Sequence, residues 1–313
     1  MTRREAAKLI GGTAAAVVLP ITTQAAAESS TMLTRMIPSS GETLPVIGLG
    51  TLRAFDVDLT SDIRRQLEEV LSLFVKLGER GVDSSPMYGR AEEVIGELTA
   101  ALGIREKLFL ATKVWTRGKE NGIKSTERSM ALLRTNRIDL MQVHNLLDVH
   151  THLATLRQWK EQGRIRYIGV THYNSSAFPE IEKILRTEKL DFLQINYSLM
   201  EPEAEQRVLP VTQERRIAVL VNRPFGGGDI FERVRSKPLP DWAAEFDCRS
   251  WAQFFLKWII AHPAVTCVIP ATDKPRHLED NMLAGIGPLP DARMRRRMVE
   301  LLPCNTAGSS RIR

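Results

Sequence analysis

Two residues that could exchange a proton lie five positions apart in this 313-residue chain. Asp83 ends a short apolar stretch, and Tyr88 follows a turn-forming Ser-Ser-Pro sequence. A tyrosine has an unperturbed pKa of about 10, so it exchanges a proton near neutral pH only if a neighbouring cation stabilises the phenolate. A buried lysine could supply that cation, and it would need a counter-charge, for which Asp83 is the candidate.

Lys113 and His144 complete a chemically coherent set, because each lies near the end of a separate apolar stretch. Lys113 would stabilise the phenolate of Tyr88. His144 would point an N–H group at the same reacting oxygen, so that Tyr88 and His144 form an oxyanion site for a carbonyl group. Such a site suits carbonyl reduction. Taken singly, Lys113 could be a surface lysine and His144 a hydrogen-bonded core histidine.

Strands and helices alternate along the chain in eight predicted pairs. The predicted strands are Leu44–Thr51, Gly81–Asp83, Leu108–Trp115, Ile138–His144, Ile165–Thr171, Phe192–Tyr197, Ala218–Asn222 and Val265–Pro270. The predicted helices are Ser61–Leu77, Ala91–Leu102, Ser125–Thr135, Thr151–Gln162, Ser175–Arg186, Glu201–Arg215, Ser250–Ala261 and Lys274–Ala284. Strict alternation predicts an α/β fold whose parallel sheet closes into a (β/α)8 TIM barrel.

An open, doubly wound sheet is the competing fold. Gly48-Leu49-Gly50 after the first strand hints at a dinucleotide-binding fingerprint, but Arg53 stands where its third glycine belongs. The barrel is therefore favoured, and the carboxyl ends of its strands should share one mouth. The polar residues predicted there are Thr51, Asp83, Lys113, His144, Thr171, His172, Gln194, Asn222 and Thr272.

Several of these segments resemble, in order, the motifs of the aldo-keto reductases. The sequence matches G-x-x-x-x-D-[TS]-[AS]-x-x-Y-G from Gly78, and the similarity spans Leu44 to Ala284. The segments that carry it are Val46–Thr51, Gly81–Gly89, Ala111–Trp115, Gln142–His144, Gly169–Tyr173 and Gln194–Tyr197.

The resemblance implies an NADPH-dependent reductase of aldehydes or ketones. It assigns Tyr88 as the general acid, Lys113 and Asp83 as the groups that adjust it, and His144 as the residue that orients and polarises the carbonyl group. Trp115 follows Lys113 at the same strand end, and it would form an aromatic wall of the substrate pocket or, alternatively, belong to the core.

The resemblance also places the cofactor. Gln194 matches the position that holds the nicotinamide carboxamide, and Thr51 would lie beside the cofactor. Lys274 and Arg276 favour NADPH over NADH, because an extra ribose phosphate suits a cationic pocket at a helix N-terminus. The other implied cofactor-binding residues are Thr171, His172, Asn222, Arg223, Pro224, Gly226, Thr272 and Asn281.

Two departures from the family pattern affect the cofactor side. Asn222 stands where the family usually has an aromatic residue stacked on the nicotinamide, so only hydrogen bonding is expected there. Thr171-His172 replaces a Ser-Asn pair that contacts the carboxamide. A non-catalytic NADP(H)-binding sensor or partner protein of the same fold is therefore the alternative function.

A metal-dependent barrel hydrolase is a further alternative, because His150-Thr151-His152 has the form H-x-H. Such a motif suits a strand, where alternate residues share a face. Here it falls at a predicted helix start, and the hydrolase would leave Lys113 and Tyr88 without a role. No metal site is expected.

Composition limits the remaining function classes. The net charge is +6, but no basic stripe is interleaved with aromatic residues, so a nucleic-acid partner is not expected. The three cysteines, Cys248, Cys267 and Cys304, are too widely spaced for a disulfide framework or a zinc site. The expected partner is a small carbonyl compound.

The first 27 residues resemble a twin-arginine signal peptide. Arg3 and Arg4 precede an apolar run from Leu9 to Leu19, and Ala25-Ala26-Ala27 offers a cleavage site. The run is about half of the roughly 20 residues that span a bilayer, so a retained membrane anchor is the weaker alternative. We expect the twin-arginine export machinery as a partner, a periplasmic location, and one barrel domain over residues 28–313.

Overall fold

The structure is a computed structural model that describes residues 31–302. Its strands are β1 (Thr34–Met36), β2 (Thr43–Pro45), β3 (Leu49–Gly50), β4 (Gly81–Asp83), β5 (Phe109–Val114), β6 (Ile138–His144), β7 (Ile165–Thr171), β8 (Phe192–Asn196), β9 (Ala218–Asn222) and β10 (Cys267–Val268). Its helices are α1 (Ser61–Lys76), α2 (Ala91–Ala101), α3 (Lys119–Leu132), α4 (Val149–Glu161), α5 (Phe178–Thr187), α6 (Val208–Arg215), α7 (Asp229–Val234), α8 (Trp251–Ile260), α9 (Pro275–Leu283) and α10 (Ala292–Glu300).

The strands β3 to β10 form one parallel sheet in which each strand pairs with the next. Hydrogen bonds between the first and last strands close it: the Gly48 N–H donates to Val268 O at 2.8 Å, and the Val268 N–H donates to Val46 O at 2.9 Å. The predicted (β/α)8 barrel is therefore confirmed.

The predicted signal peptide, residues 1–27, and Cys304 lie outside the described residues. Within residues 31–302, no helix combines the length and the apolar character needed to cross a bilayer.

The first predicted strand, Leu44–Thr51, is wrong in its first half. Its opening residues belong to β2, which pairs with β1 in an antiparallel hairpin outside the barrel sheet. Ile37 and Leu44 from this hairpin are fully buried with the residues of the barrel interior. The hairpin therefore covers the end of the barrel opposite the predicted active site.

Gly48 and Gly50 have a structural explanation that does not involve a dinucleotide. A Cβ atom on Gly48 would lie 2.7 Å from Gly81 O, and one on Gly50 would lie 2.8 Å from Ile269 O. Both glycines are needed because the backbones of β4 and of the residues after β10 approach them closely.

Several predicted helices differ from those in the structure. Helix α3 begins at Lys119, earlier than the predicted Ser125, after a glycine at φ 83°. The helix predicted over Glu201–Arg215 splits into a 3₁₀ turn and α6, whose start is set by Pro210, since proline lacks the N–H that a continuing helix requires. Helix α7 lies between the predicted strand Ala218–Asn222 and the predicted helix Ser250–Ala261, where no helix was predicted.

Alternate residues along each barrel strand point into the lumen, and this alternation positions the site. In β5, Phe109 and Ala111 are buried in the lumen, and Lys113 continues the same row towards the mouth. In β8, Phe192 is followed in the same way by Gln194. The lumen is therefore apolar at the hairpin end and polar at the carboxyl ends of the strands.

The helices bury apolar stripes against the outside of the barrel. Leu67, Val70, Leu71 and Phe74 of α1 lie on one helical face and are fully buried. Burying such a side chain contributes roughly 1.5–3 kcal/mol. This outer layer holds the strand ends, and hence the site, in place.

We expect the free energy of unfolding to fall as the pH rises from about 4.5 to about 9, because of Glu79. Its side chain is 1% exposed, and neither carboxylate oxygen has a hydrogen-bond partner among the described residues. Burial, opposed by Arg80, raises the pKa from 4.5 to about 9. The folded chain then binds a proton that the unfolded chain has lost, which costs up to about 1.4 kcal/mol per pH unit.

Urea unfolding of Glu79→Gln at about pH 6 and about pH 8 would test this, because the variant has no carboxyl to protonate. The free energy of unfolding of this variant should be similar at the two pH values, whereas that of the original chain should be lower at about pH 8. Glu69→Gln on the exposed face of α1 is the control, and its free energy of unfolding should fall as in the original chain. An equal decline in all three proteins would contradict the assignment.

Candidate active site

A buried ion pair lies at the mouth of the barrel. Lys113 Nζ donates to Asp83 Oδ2 at 2.7 Å and to Ser84 O at 2.6 Å. Lys113 is fully buried and Asp83 is 3% exposed. Burial alone would lower the pKa of Lys113, but Asp83 and Tyr88 outweigh it and raise that pKa. The lysine therefore stays cationic at neutral pH.

Two glutamine side chains hold the other carboxylate oxygen. Asp83 Oδ1 accepts from Gln194 Nε2 at 2.8 Å and from Gln142 Nε2 at 3.3 Å. Gln194 Oε1 in turn accepts from Thr171 Oγ1 at 2.9 Å. Gln194 and Thr171, assigned by resemblance to the nicotinamide, thus also belong to the network around Asp83.

Sequence reasoning missed Gln142 as a partner of Asp83. The signal that could have found it is the alternation along β6, where Leu140, Gln142 and His144 occupy successive lumen-facing positions.

Tyr88 lies directly above the ion pair. Lys113 Nζ is 4.8 Å from the centre of the Tyr88 ring. Burial raises the pKa of Tyr88, Lys113 opposes that rise, and Asp83 adds to it. Lys113 acts in the predicted direction, but burial outweighs it. Tyr88 is therefore a neutral phenol at neutral pH, which is the form that can donate a proton.

His144 faces Tyr88 from the end of β6. The two ring centres are 6.2 Å apart, and the rings are nearly perpendicular. Burial, followed by the positive charge of Lys113 and the proximity of His172, lowers the pKa of His144 to about 3. The imidazole is therefore neutral and can donate one hydrogen bond to an incoming oxygen.

Trp115 lies beside these residues, with its ring centre 6.4 Å from that of His144. It remains 45% exposed, so its face is available at the mouth. The structure thus brings together all four predicted catalytic residues and the aromatic side chain predicted to line the pocket.

The H-x-H segment is not arranged as a metal site. His152 hydrogen-bonds through Nε2 to Thr116 O at 2.7 Å, whereas His150 is exposed and pairs with Glu188. Both lie in α4, where residues two apart do not share a face. Within residues 31–302, no cluster of three or more His, Cys, Asp or Glu side chains is placed to hold a metal ion.

Comparison with known proteins agrees with this geometry. The Aldo/keto reductase family model matches residues 46–298. The chain belongs to this family. Membership confirms the predicted class of enzyme, an NAD(P)H-dependent oxidoreductase acting on carbonyl groups.

Individual relatives of the reductase are distant but cover most of it. Methylglyoxal reductase YeaE of Escherichia coli (strain K12) is 29% identical over 260 residues, which cover 80% of this chain and 89% of that protein. The 9,11-endoperoxide prostaglandin H2 reductase of Trypanosoma cruzi (strain CL Brener) is 27% identical over 247 residues, covering 76% and 81%. A Klebsiella pneumoniae aldo-keto reductase solved in complex with NADPH has the same fold, with a TM-score of 0.73, 24% identity, and coverage of 90% and 99%.

The residues predicted to lie beside the nicotinamide are at the ends of β7, β8 and β9. Asn222 Nδ2 donates to His172 O at 3.1 Å, while the buried Asn222 Oδ1 has no partner within the described residues. His172 Nδ1 accepts from the Asn174 N–H at 3.1 Å, and burial lowers the pKa of His172. An unpaired acceptor beside a neutral histidine fits the carboxamide of a nicotinamide, which carries N–H donors.

Thr51 contacts the end of β4 and the residue that follows it. Its hydroxyl donates to Asp83 O at 3.0 Å and lies 3.0 Å from Ser84 Oγ. The residue is fully buried, and its backbone N–H also donates to Asp83 O, at 3.1 Å, so the structure does not bring its polar groups to the open mouth.

The segment Ile269–Asn281, here called the adenosine-phosphate segment, carries Lys274 and Arg276, which are predicted to favour NADPH, and it includes the start of α9. Thr272 Oγ1 accepts from the Lys274 N–H at 3.1 Å, which fixes the turn, and Asn281 is buried in the same helix. Lys274 and Arg276 are exposed. Burial and these two cations lower the pKa of His277. The segment is locally positive and fits a phosphate group.

The loop after β9 depends on glycine. Arg223 has φ 49°, and Gly226, Gly227 and Gly228 have φ values of 60°, 79° and 110°. Such a run is accessible almost only to glycine. Pro224 is buried beneath the loop, while Arg223 is exposed. The Gly226 N–H donates to Arg223 O and the Gly228 N–H donates to Phe225 O, both at 2.9 Å, so these two amides are used within the loop. A cofactor contact through Gly226 stays a prediction.

Proposed function

We propose that this enzyme reduces an aldehyde or ketone to an alcohol with NADPH and uses Tyr88 as the general acid. The observation that carries the proposal is the buried Lys113–Asp83 pair beneath the Tyr88 ring, with the neutral His144 imidazole beside it. These groups surround a position that a carbonyl oxygen would occupy.

Each of the four residues has a separate role in the reaction. Bound NADPH supplies the hydride that adds to the carbonyl carbon. As negative charge develops on the carbonyl oxygen, His144 donates a hydrogen bond to it and Tyr88 transfers its phenolic proton to it. Lys113, held by Asp83, then stabilises the phenolate that remains. Water returns the proton to Tyr88 before the next turnover.

A non-catalytic NADP(H)-binding role is not favoured. Binding a nucleotide does not require a buried lysine, a counter-ion and a phenol in contact, and burying charges carries a desolvation penalty. The four residues that the reaction uses, Asp83, Tyr88, Lys113 and His144, are all present and adjacent.

The proposal is tested by titrating the purified protein with NADPH and NADH and following nucleotide fluorescence. Aldehydes, ketones and quinones are then added, including methylglyoxal, which the name of the Escherichia coli relative suggests. Oxidation of NADPH with formation of the alcohol supports the proposal. Binding of neither nucleotide would refute it, and binding without turnover of any compound would favour the sensor.

Replacement of Arg276 by alanine should weaken NADPH binding by roughly ten- to a hundredfold, because a hydrogen bond to a charged group contributes about 1.5–3 kcal/mol. NADH lacks the extra phosphate, so its dissociation constant should change little. Fluorescence titration measures both constants.

Arg186→Ala is the matched control, since Arg186 is an exposed arginine near the end of α5 that pairs with Glu182. It should bind both nucleotides as the original chain does. Equal weakening of NADPH and NADH in the Arg276 variant would show that this residue does not recognise the extra phosphate.

We further propose that residues 1–27 direct export by the twin-arginine route and that the enzyme acts in the periplasm. Support comes from the sequence alone: paired arginines, a short apolar run and an alanine-rich cleavage site. The twin-arginine route carries folded proteins, so we propose export with NADPH already bound. Cell fractionation and nucleotide analysis of the periplasmic protein test this. Periplasmic protein without nucleotide, alongside fully active cytoplasmic protein, would contradict it.

A further inference from the structure

The Ser85 hydroxyl lies against one ring nitrogen of His144, Nδ1. Ser85 Oγ is 3.2 Å from His144 Nδ1, and Ser85 is fully buried. We propose that Ser85 is a positioning residue that donates to Nδ1 and so fixes His144 as the Nε2–H tautomer. The inference rests on the carbonyl reduction proposed above and adds a residue to it.

The direction of the hydrogen bond follows from the other contact of this hydroxyl. The Met87 backbone N–H donates to Ser85 Oγ at 3.4 Å, so one lone pair of the oxygen is already used. Among the described residues, His144 Nδ1 is the one acceptor within hydrogen-bond distance of the hydroxyl hydrogen. If the buried hydroxyl did not donate to Nδ1, its hydrogen would be left unpaired, which is unfavourable.

The tautomer decides what His144 can do at the mouth. A neutral imidazole carries one N–H, so when Nδ1 accepts, the hydrogen is on Nε2. No hydrogen bond joins His144 Nε2 to another residue within the described chain, which leaves that N–H for a substrate oxygen. The opposite tautomer would turn a lone pair towards the carbonyl oxygen and repel it.

Ser84 provides a matched control because it is the same residue type, is equally buried and lies next in the chain. Its hydroxyl lies 3.0 Å from Thr51 Oγ1 and does not contact His144. Two adjacent serines thus differ in the partner of the hydroxyl, and only Ser85 should influence the imidazole.

The test is nitrogen NMR of the full-length protein with ¹⁵N-labelled histidine. The chain has six histidines, and a His144→Gln spectrum identifies the signals of His144. The original chain should show a protonated Nε2 and an unprotonated Nδ1. In Ser85→Ala both signals should move towards the average of the two tautomers, whereas Ser84→Ala should leave them in place.

Turnover gives a second readout, which separates positioning from general structural damage. Ser85→Ala should lower kcat about tenfold, because the carbonyl loses a correctly placed donor in part of the molecules, and the KM for NADPH should stay within about twofold. Ser85→Thr, which keeps a hydroxyl at this position, should keep the Nε2–H tautomer of the original chain.

The outcomes separate this inference from the proposed function. An original chain with hydrogen on Nδ1, or a Ser85→Ala variant with unchanged His144 signals, overturns the inference even if carbonyl reduction is fully active. If no carbonyl compound is reduced, the proposed function fails, while the NMR spectra still decide whether Ser85 sets the tautomer.

Discussion

Replacement of Tyr88 by phenylalanine is expected to lower kcat for carbonyl reduction by about a thousandfold, within the range of a hundred- to ten-thousandfold for loss of a general acid. The change removes the phenolic proton and keeps the ring that packs above Lys113 Nζ. The dissociation constant for NADPH should change less than about twofold, since no part of the predicted adenosine-phosphate segment is altered. Steady-state kinetics and fluorescence titration measure the two quantities.

Tyr167→Phe is the control for this variant. Tyr167 is also a lumen tyrosine, but its hydroxyl lies at the opposite end of the barrel, where it hydrogen-bonds to Ser40 at 2.7 Å. Its loss should cost about 1 kcal/mol of stability and leave kcat unchanged. A Tyr88→Phe enzyme that keeps more than a tenth of its activity would show that the proton comes from another group.

The barrel could be predicted from the sequence because eight strand and helix patterns repeat in strict order. The β1–β2 hairpin could not, since three-residue strands are too short to show a periodicity. The catalytic residues could be predicted from the sequence because the motifs that carry them follow one another in the family's order. The contacts of Gln142 with Asp83 and of Ser85 with His144 could not be predicted. The two residues of each pair lie 59 positions apart in the sequence, and closure of the barrel brings them together.

The pKa shift of Tyr88 could be predicted from the sequence only in part. The sequence indicates the effect of Lys113 on Tyr88, since it depends on two charges brought together. It does not indicate the larger effect of burial, which raises the pKa and depends on how the surrounding loop packs. Tyr88 is consequently a stronger candidate for proton donor than for base, which agrees with reduction as the chemical direction.

Replacement of Lys113 by methionine is expected to abolish measurable reduction and to lower the free energy of unfolding by about 3–5 kcal/mol. Methionine fills much of the same space, so the loss arises from charge. Asp83 would remain buried as an unpaired carboxylate, and within residues 31–302 only the amides of Gln142 and Gln194 would still hydrogen-bond to it. The phenolate of Tyr88 would also lose its stabilising cation. Urea unfolding and steady-state kinetics measure these two effects.

The double variant Lys113→Met/Asp83→Asn separates the structural cost from the chemical one. An asparagine still accepts from both glutamines but carries no charge, so most of the lost stability should return. Activity should not return, because no cation remains beneath Tyr88. If Lys113→Met alone kept the original stability, the pair would not be the desolvated ion pair that its 2.7 Å contact and burial indicate. If the double variant reduced carbonyl compounds at the original rate, proton transfer from Tyr88 would not depend on Lys113, and the proposed mechanism would fail at its central step.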